Sequence, residues 1–337
     1  MKQINQKHIA KLCGLSQATV SRVLHQSALI HGDTQRRVAR VMKKYGYVPD
    51  AAASALRSGR SRILAFMLPS YSYMEGFNTA RILSGLSSAA NSHGYQLIVS
   101  AFRDGQDYRT AFRSIIIERK IDGIFTILNT PKLDTAMQRF VGAQKMPFVF
   151  VNSNRMEKAF YCVGTDNKGG VRQACEYLIS KGRKRILFLG KRAGSLISLE
   201  RVAGYRAALK AGGLAYRGEL AVSDATGDSA YGAGMVARLL QSRDRPDALV
   251  CYDDHLAMGA LKAALETGVK VPDEVAVIGF TGIHETIFTF PPLTTVREDG
   301  YSVGKSAMEL MASVLKKQEP AERKMQIPTR LIIRGSA

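Results

Sequence analysis

Two hydrophobic periods divide this sequence. In its first stretch, apolar side chains recur three and four residues apart, the period of a helix with one buried face. The set is Ile9, Ala10, Leu15, Val20, Val23 and Leu24, followed by Val38, Val41, Met42 and Tyr45. Asn5 suits the cap of a helix running to about Leu12, because its side chain can accept from a first-turn amide. Cys13-Gly14-Leu15 reads as a turn, with Gly14 free to be left-handed. Ser16 then caps a second helix, Gln17 to Leu24, and Gly46 ends a third. Small Ala10 permits a close crossing, with Val20 packed beneath it. Two short helices joined by a glycine turn predict a helix-turn-helix.

From Ile63 onward the pattern changes to short apolar runs separated by amphipathic stretches. The runs are Ile63–Leu68, Gln96–Ala101, Gly123–Ile127, Phe148–Val151, Arg185–Leu189, Ala248–Cys251 and Val275–Ile278. Several intervening helices should end at a glycine: Gly94, Gly182, Gly212 and Gly268. Strands alternating with helices predict βαβ units and a parallel sheet. The stretch is long for one sheet, so two lobes are expected. Ligands of open α/β sheets sit beyond the carboxyl ends of the strands. In a two-lobe core that is the cleft, with closure as the switch.

Charge changes the picture. The chain has 48 Lys and Arg against 28 Asp and Glu, a net charge of +20. Residues 1–62 carry twelve of the basic side chains and only two acidic ones, Asp33 and Asp50. A small, strongly basic helical unit on a larger one points to a polyanion, and the helix-turn-helix points to duplex DNA. The second helix of such a motif enters the major groove, so Gln17, Ala18 and Arg22 are the candidate base contacts. Arg22 can donate twice to guanine, Gln17 can pair with adenine, and the Ala18 methyl suits a thymine methyl. Asn5, Ser16, Thr19, Ser21, His25, Thr34 and Tyr47 are candidate phosphate contacts that position rather than specify. Between head and core, Asp50 is placed to cap a short alanine-rich helix. A helix of that length forms only against a partner surface. Leu56, with Ala53 and Arg57, suits a wedge into the minor groove.

Other classes are disfavoured. No run approaches about 18 apolar residues, so no membrane span is expected. The start, Met1 to Lys7, has no apolar core of a signal peptide. Cys13, Cys162, Cys175 and Cys251 lie far apart without a CxxC pair, so buried thiols rather than a disulfide framework or zinc site are expected. The six histidines show no metal spacing, and no Walker loop or GxGxxG is present. Neither cofactor nor metal is expected. An enzyme is the alternative from another class. His255 beside Asp253 and Asp254 is the only catalytic-looking cluster, and the "GDSAYGAG" serine lacks a nucleophile-elbow pattern. A sugar receptor that never touches DNA is the second alternative, against which the basic head argues.

The segments "IAKLCGLSQATVSRVL", "YGYVP" and "AxxLxSG" resemble the lactose-repressor/galactose-repressor (LacI/GalR) family of bacterial transcription factors. "VGTDNKGG", "RVAGYRAALKAGG", "RPDALVCYDDHLAMGAL", "VPDEVAVIGF" and "PPLTTV" extend the resemblance, in family order, over essentially the whole chain. It implies a helix-turn-helix head over 1–48, a hinge helix over 49–60 with Leu56 as the wedge, and a periplasmic-binding-protein-like core over 61–337. By analogy the N-lobe spans about 61–162 and 292–322, and the C-lobe about 163–291 and 323–337, with three crossovers. The implied function is a cytoplasmic, nucleoid-associated repressor, a homodimer on a pseudo-palindromic operator, controlled by a carbohydrate-like effector. No apolar heptads follow Gln326, so an added tetramerising helix is not expected.

Arg201 in "ERVAGY" matches the family's effector-binding arginine. Asp253, Thr281, Asn152 and Ser198 are further effector candidates, and Tyr71 and Tyr73 could stack on a sugar face. Four positions depart from the family pattern. Asp50 and Ser54 stand where Asn and Arg are usual in the hinge. Asp253 replaces a usual Asn, and Thr281 replaces a usual Asp. The expectation is that the pocket carboxylate has moved from 281 to 253, facing Arg201, with Asp254 capping the next helix.

Overall fold

The computed structural model describes residues 4–24, 30–47, 60–70, 76–102, 107–119, 121–128, 135–144, 146–154, 160–191, 194–216, 219–221 and 229–337. The chain forms two compact units, Met1–Arg62 and Ile63–Ala337.

In the first unit, α1 (Gln6–Leu12), α2 (Gln17–Leu24) and α3 (Gly32–Tyr45) enclose a small core of Ile9, Ala10, Cys13, Val20 and Val38. Ile9, Val20 and Val38 have no exposed surface. Asn5 caps α1, accepting from the His8 amide at 3.0 Å. Gly14 takes φ +57°, as the turn between α1 and α2 requires. One expected core residue is corrected: Tyr45 is exposed, and Lys44 lies over its ring. Left-handed Gly46 reverses the chain, so Tyr47 packs against the head core instead.

Among the described residues, the second unit holds two six-stranded sheets. The first contains β1 (Ile63–Leu68), β2 (Gln96–Ala101), β3 (Gly123–Thr126), β4 (Phe148–Val151), β5 (Tyr161–Thr165) and β11 (Lys324–Ile327), in the order β11-β5-β4-β3-β1-β2. All its pairs are parallel. The second contains β6 (Ile186–Lys191), β7 (Glu219–Ala221), β8 (Ala248–Cys251), β9 (Ala276–Thr281), β10 (Thr294–Arg297) and β12 (Arg330–Ile332), in the order β12-β10-β9-β8-β6-β7. Only β12 runs antiparallel to its neighbour. The central strands are continuous apolar runs with buried side chains, as expected of sheets covered on both faces.

Helices α4 (Phe77–Ser92), α5 (Tyr108–Arg119), α6 (Thr135–Gly142) and α11 (Gly300–Leu315) belong with the first sheet. Helices α7 (Asn167–Ser180), α8 (Leu196–Ala211), α9 (Ser229–Leu240) and α10 (Asp254–Glu266) belong with the second. Helices α4 and α11 approach backbone to backbone: a Cβ on Gly85 would lie 2.1 Å from the Tyr301 carbonyl oxygen, and one on Gly304 2.1 Å from that of Ile82.

The expected lobe boundaries need three corrections. Residues 163–165 complete β5 in the N-lobe sheet, where Val163 pairs with Val151. Residues 294–297 form β10 in the C-lobe sheet, beside β9. Residues 324–327 return to the N-lobe as β11, pairing with β5 from Lys324↔Cys162 to Ile327↔Thr165. The chain therefore crosses between lobes after Thr165, after Arg297 and after Ile327. Hydrogen-bond partners distant in sequence, not local composition, assign each strand to its sheet.

Candidate functional site

In the head, Ser16 Oγ accepts from the Thr19 amide at 3.0 Å and meets Thr19 Oγ1 at 2.8 Å. The Ser16 hydroxyl caps α2 with Thr19 Oγ1 bonded to it, and Asn5 caps α1, so three of the expected phosphate contacts have structural work of their own. Fully buried Val20 fixes which way α2 turns. Gln17, Ala18 and Arg22 are exposed, with Ala18 and Arg22 one turn apart on one face. Ser21, Thr34 and Tyr47 are half-buried. Lys7 and Lys11 on α1, and Arg36, Arg37, Arg40, Lys43 and Lys44 on α3, are exposed. Asp33 is ion-paired to Arg36 at 2.5 Å. His25, the hinge residues Ala53, Leu56 and Arg57, and Tyr71 and Tyr73 lie outside the described residues.

In the core, a polar chain joins the lobes at the carboxyl ends of their strands. Asn154, just past β4, donates from Nδ2 to the Thr165 carbonyl at 2.8 Å and to Glu200 Oε2 at 2.9 Å. Asn167, at the start of α7, donates to the same Glu200 oxygen at 2.8 Å. Arg201 Nε donates to Asn167 Oδ1 at 3.0 Å, Nη1 donates to the Tyr252 carbonyl, and Nη2 donates to Glu298 Oε1 at 3.1 Å. The guanidinium carbon lies 4.6 Å from the Tyr252 ring centre and 3.7 Å from that of Phe280. Arg201 is only 3% exposed, which a charge tolerates only when paired and hydrogen-bonded.

Burial raises the pKa of Glu298. The Arg201 charge opposes this, and Asp254 and Asp253 add to it. Burial likewise raises Glu200, against the amide donors of Asn154 and Asn167. Asp254 is raised by burial, against the Thr295 hydroxyl and the amides of Ile283 and Gly282.

Two expectations are corrected here. Asp253, not Asp254, caps α10, accepting from the Leu256 amide at 2.9 Å. Asp254 instead ties the turn after β9 to the first half of β10. It accepts from the amides of Gly282 at 2.7 Å and Ile283 at 2.8 Å and from Thr295 Oγ1 at 2.5 Å. The carboxylate paired with Arg201 is that of Glu298, not Asp253. Glu298 follows β10, and its amide donates to the Thr281 carbonyl at 3.2 Å. The acid therefore sits one strand over from Thr281.

Asn152, just past β4, and Thr281, the last residue of β9, have positive φ, +54° and +121°. Asn tolerates this; a β-branched Thr is strained there. Thr165 Oγ1 approaches Asn152 Oδ1 at 3.5 Å. Ser198 is buried in the first turn of α8, its amide held by the capping Ser195 hydroxyl at 3.2 Å. Sequence reading missed Glu298, Asn167 and Glu200. The available signals were a Glu immediately after the "TTVR" strand, an Asn opening a helix in "VGTDNKGG", and the acid preceding Arg201.

A cavity of about 540 Å³, lined by Gln138, Arg139, Met146, Phe148, Phe160 and Tyr161 among others, opens at the other ends of β4 and β5. It is separate from this cluster.

Comparison with known proteins agrees with both halves. The family model "Bacterial regulatory proteins, lacI family" matches residues 6–50, and "Periplasmic binding protein-like domain" matches residues 175–337. The HTH-type transcriptional repressor CytR of Escherichia coli (strain K12) is 29% identical over 332 residues, covering 98% of this chain and 95% of the relative. The HTH-type transcriptional repressor PurR of Vibrio parahaemolyticus serotype O3:K6 (strain RIMD 2210633) is 26% identical over 333 residues, covering 98% and 97%. Among solved structures, a regulatory protein of the LacI family from Chloroflexus aggregans superposes with a TM-score of 0.73 at 26% identity, covering 82% of this chain and 98% of that one. A lac repressor dimer bound to operator and the anti-inducer ONPF gives 0.82 at 21% identity, covering 99% of each chain, a likeness of fold. The head thus matches the lacI family of bacterial regulatory proteins, the core matches a periplasmic-binding-protein-like domain, and nearly the whole chain is similar to HTH-type transcriptional repressors.

Proposed function

We propose that the protein is a sequence-specific DNA-binding transcriptional repressor whose operator affinity is set by a small molecule bound between the core lobes. The carrying observation is one chain that joins an exposed helix-turn-helix face, Gln17, Ala18 and Arg22, to a two-lobe core with a buried polar cluster at its strand ends. The curated relatives are named as transcriptional repressors. A transcriptional regulator CelR, of similar fold, was solved with cellobiose, which supports a carbohydrate as effector class. The lac repressor dimer on operator supports a homodimer on a pseudo-palindromic site, the spacing that paired recognition helices require. Gln17, Ala18 and Arg22 read bases, while Leu56, Ala53 and Arg57 engage the minor groove.

Arg201, Asp253, Thr281, Asn152 and Ser198 line or support the effector site, with Glu298 added to them. The protein works in the cytoplasm, where the operator is. The test is DNA retention by the full chain against the core starting at Ile63, using duplexes selected from a random pool. Enrichment of a pseudo-palindrome by the full chain alone is expected. Equal retention by the core, or no enriched motif, overturns the reading. A thermal-shift screen of the core with sugars then identifies the effector.

A further inference from the structure

The most unusual feature of the cleft is that its buried cation is already answered. Each nitrogen of Arg201 has a protein acceptor: Asn167 Oδ1, the Tyr252 carbonyl and Glu298 Oε1. The rings of Tyr252 and Phe280 lie against its guanidinium. Both members of the pair have side chains only 4% exposed. The other charges acting on Glu298 are acidic. Asp253 and Asp254 both act on Glu298, and Glu200 adjoins Arg201 along α8. The nearby Arg297 is exposed, and its charge acts on Asp299.

We propose that Glu298 determines the charge class of the effector: by neutralising Arg201 it makes the cleft a site for uncharged, polyhydroxyl ligands and excludes carboxylated and phosphorylated ones. This rests on the reading of the cleft as the effector site. An anion approaching Arg201 would have to displace the buried carboxylate whose charge Arg201 holds. It would also feel the charges of Asp253 and fully buried Asp254, both of which act on Glu298. A neutral hydroxyl pays neither penalty. It can accept from a donor and donate to Glu298 or Asp253, both acceptors when ionised.

The experiment titrates the full-length protein with inorganic phosphate by calorimetry, at ionic strength matched with chloride. It compares wild type, Glu298→Gln and the double variant Glu298→Gln/Arg201→Gln. The double variant removes both members of the buried pair and reports phosphate taken up elsewhere, including by the basic head. Expected is that wild type and double variant bind phosphate alike, whereas Glu298→Gln gains a site at least tenfold tighter that the double variant lacks. Glu298→Met serves the same comparison if the glutamine variant does not fold. The proposal is overturned if wild type binds more phosphate than the double variant, or if removing the carboxylate creates no added site. Failure of the selected-duplex experiment overturns the repressor reading and leaves this result standing, so the two are separable.

Discussion

Arg201 and Glu298 lie 97 positions apart in the sequence, yet their side chains meet at 3.1 Å and are almost wholly buried. Arg201 belongs to α8 of the C-lobe. Glu298 lies just past Arg297, where the chain leaves that lobe for α11. The pair thus pins a helix to a crossover. Through Asn167 and Glu200 it also reaches Asn154 in the N-lobe. Because lobe movement must turn about the crossovers, occupancy of this cluster is mechanically placed to be felt by the whole core.

A buried ion pair is fragile toward loss of one member. Arg201→Met or Glu298→Met alone leaves an uncompensated charge and should cost about 3–5 kcal/mol. The double variant should cost clearly less than the sum, with coupling above about 1 kcal/mol. Urea unfolding of the four proteins measures this. Additive costs would show that the two side chains do not stabilise one another.

Glu200 should give the core a distinct acid response. Its raised pKa means that the folded core holds that proton more tightly than the unfolded chain. Stability of wild type relative to Glu200→Gln should therefore grow as pH falls through the raised value, and level off below about 4.3, the ordinary carboxyl value. Urea midpoints of both proteins across this range test it. A difference independent of pH would contradict the burial that raises Glu200.

Base reading by Arg22 should be separable from phosphate binding. Arg22→Ala should cost about 1–3 kcal/mol on the selected duplex and relax preference at one base pair. Lys7→Ala should weaken selected and random duplexes alike and reduce the salt dependence. Equal loss on both duplexes for Arg22→Ala would remove it from base contact.

The hinge prediction comes from sequence. Leu56→Ala should lower operator affinity and the DNA bend while leaving effector binding to the core unchanged. Gel mobility of circularly permuted duplexes reads the bend. An unaltered bend would take the wedge role from Leu56.

The head was legible in the sequence because its determinants are local. The Asn5 and Ser16 caps, the Gly14 turn and the apolar set closing on Val20 all act within a few residues. The strand runs were legible for the same reason: a doubly covered strand must be apolar along its length. What the sequence by itself determined, then, is the order of elements, the basic head and the place of Arg201. Tertiary structure decided what depends on partners distant in the chain. Strand β11 went to the N-lobe because Lys324 to Ile327 find open hydrogen-bonding groups on β5. Of the adjacent acids Asp253 and Asp254, identical in kind, only the second meets the Gly282 and Ile283 amides and the Thr295 hydroxyl. The first was left to cap α10. Glu298 became the partner of Arg201 only because β10 runs beside β9 and delivers its end to the cleft. Spacing along a chain carries no record of which buried charge will find which, since that is settled by how the sheets bring their ends together.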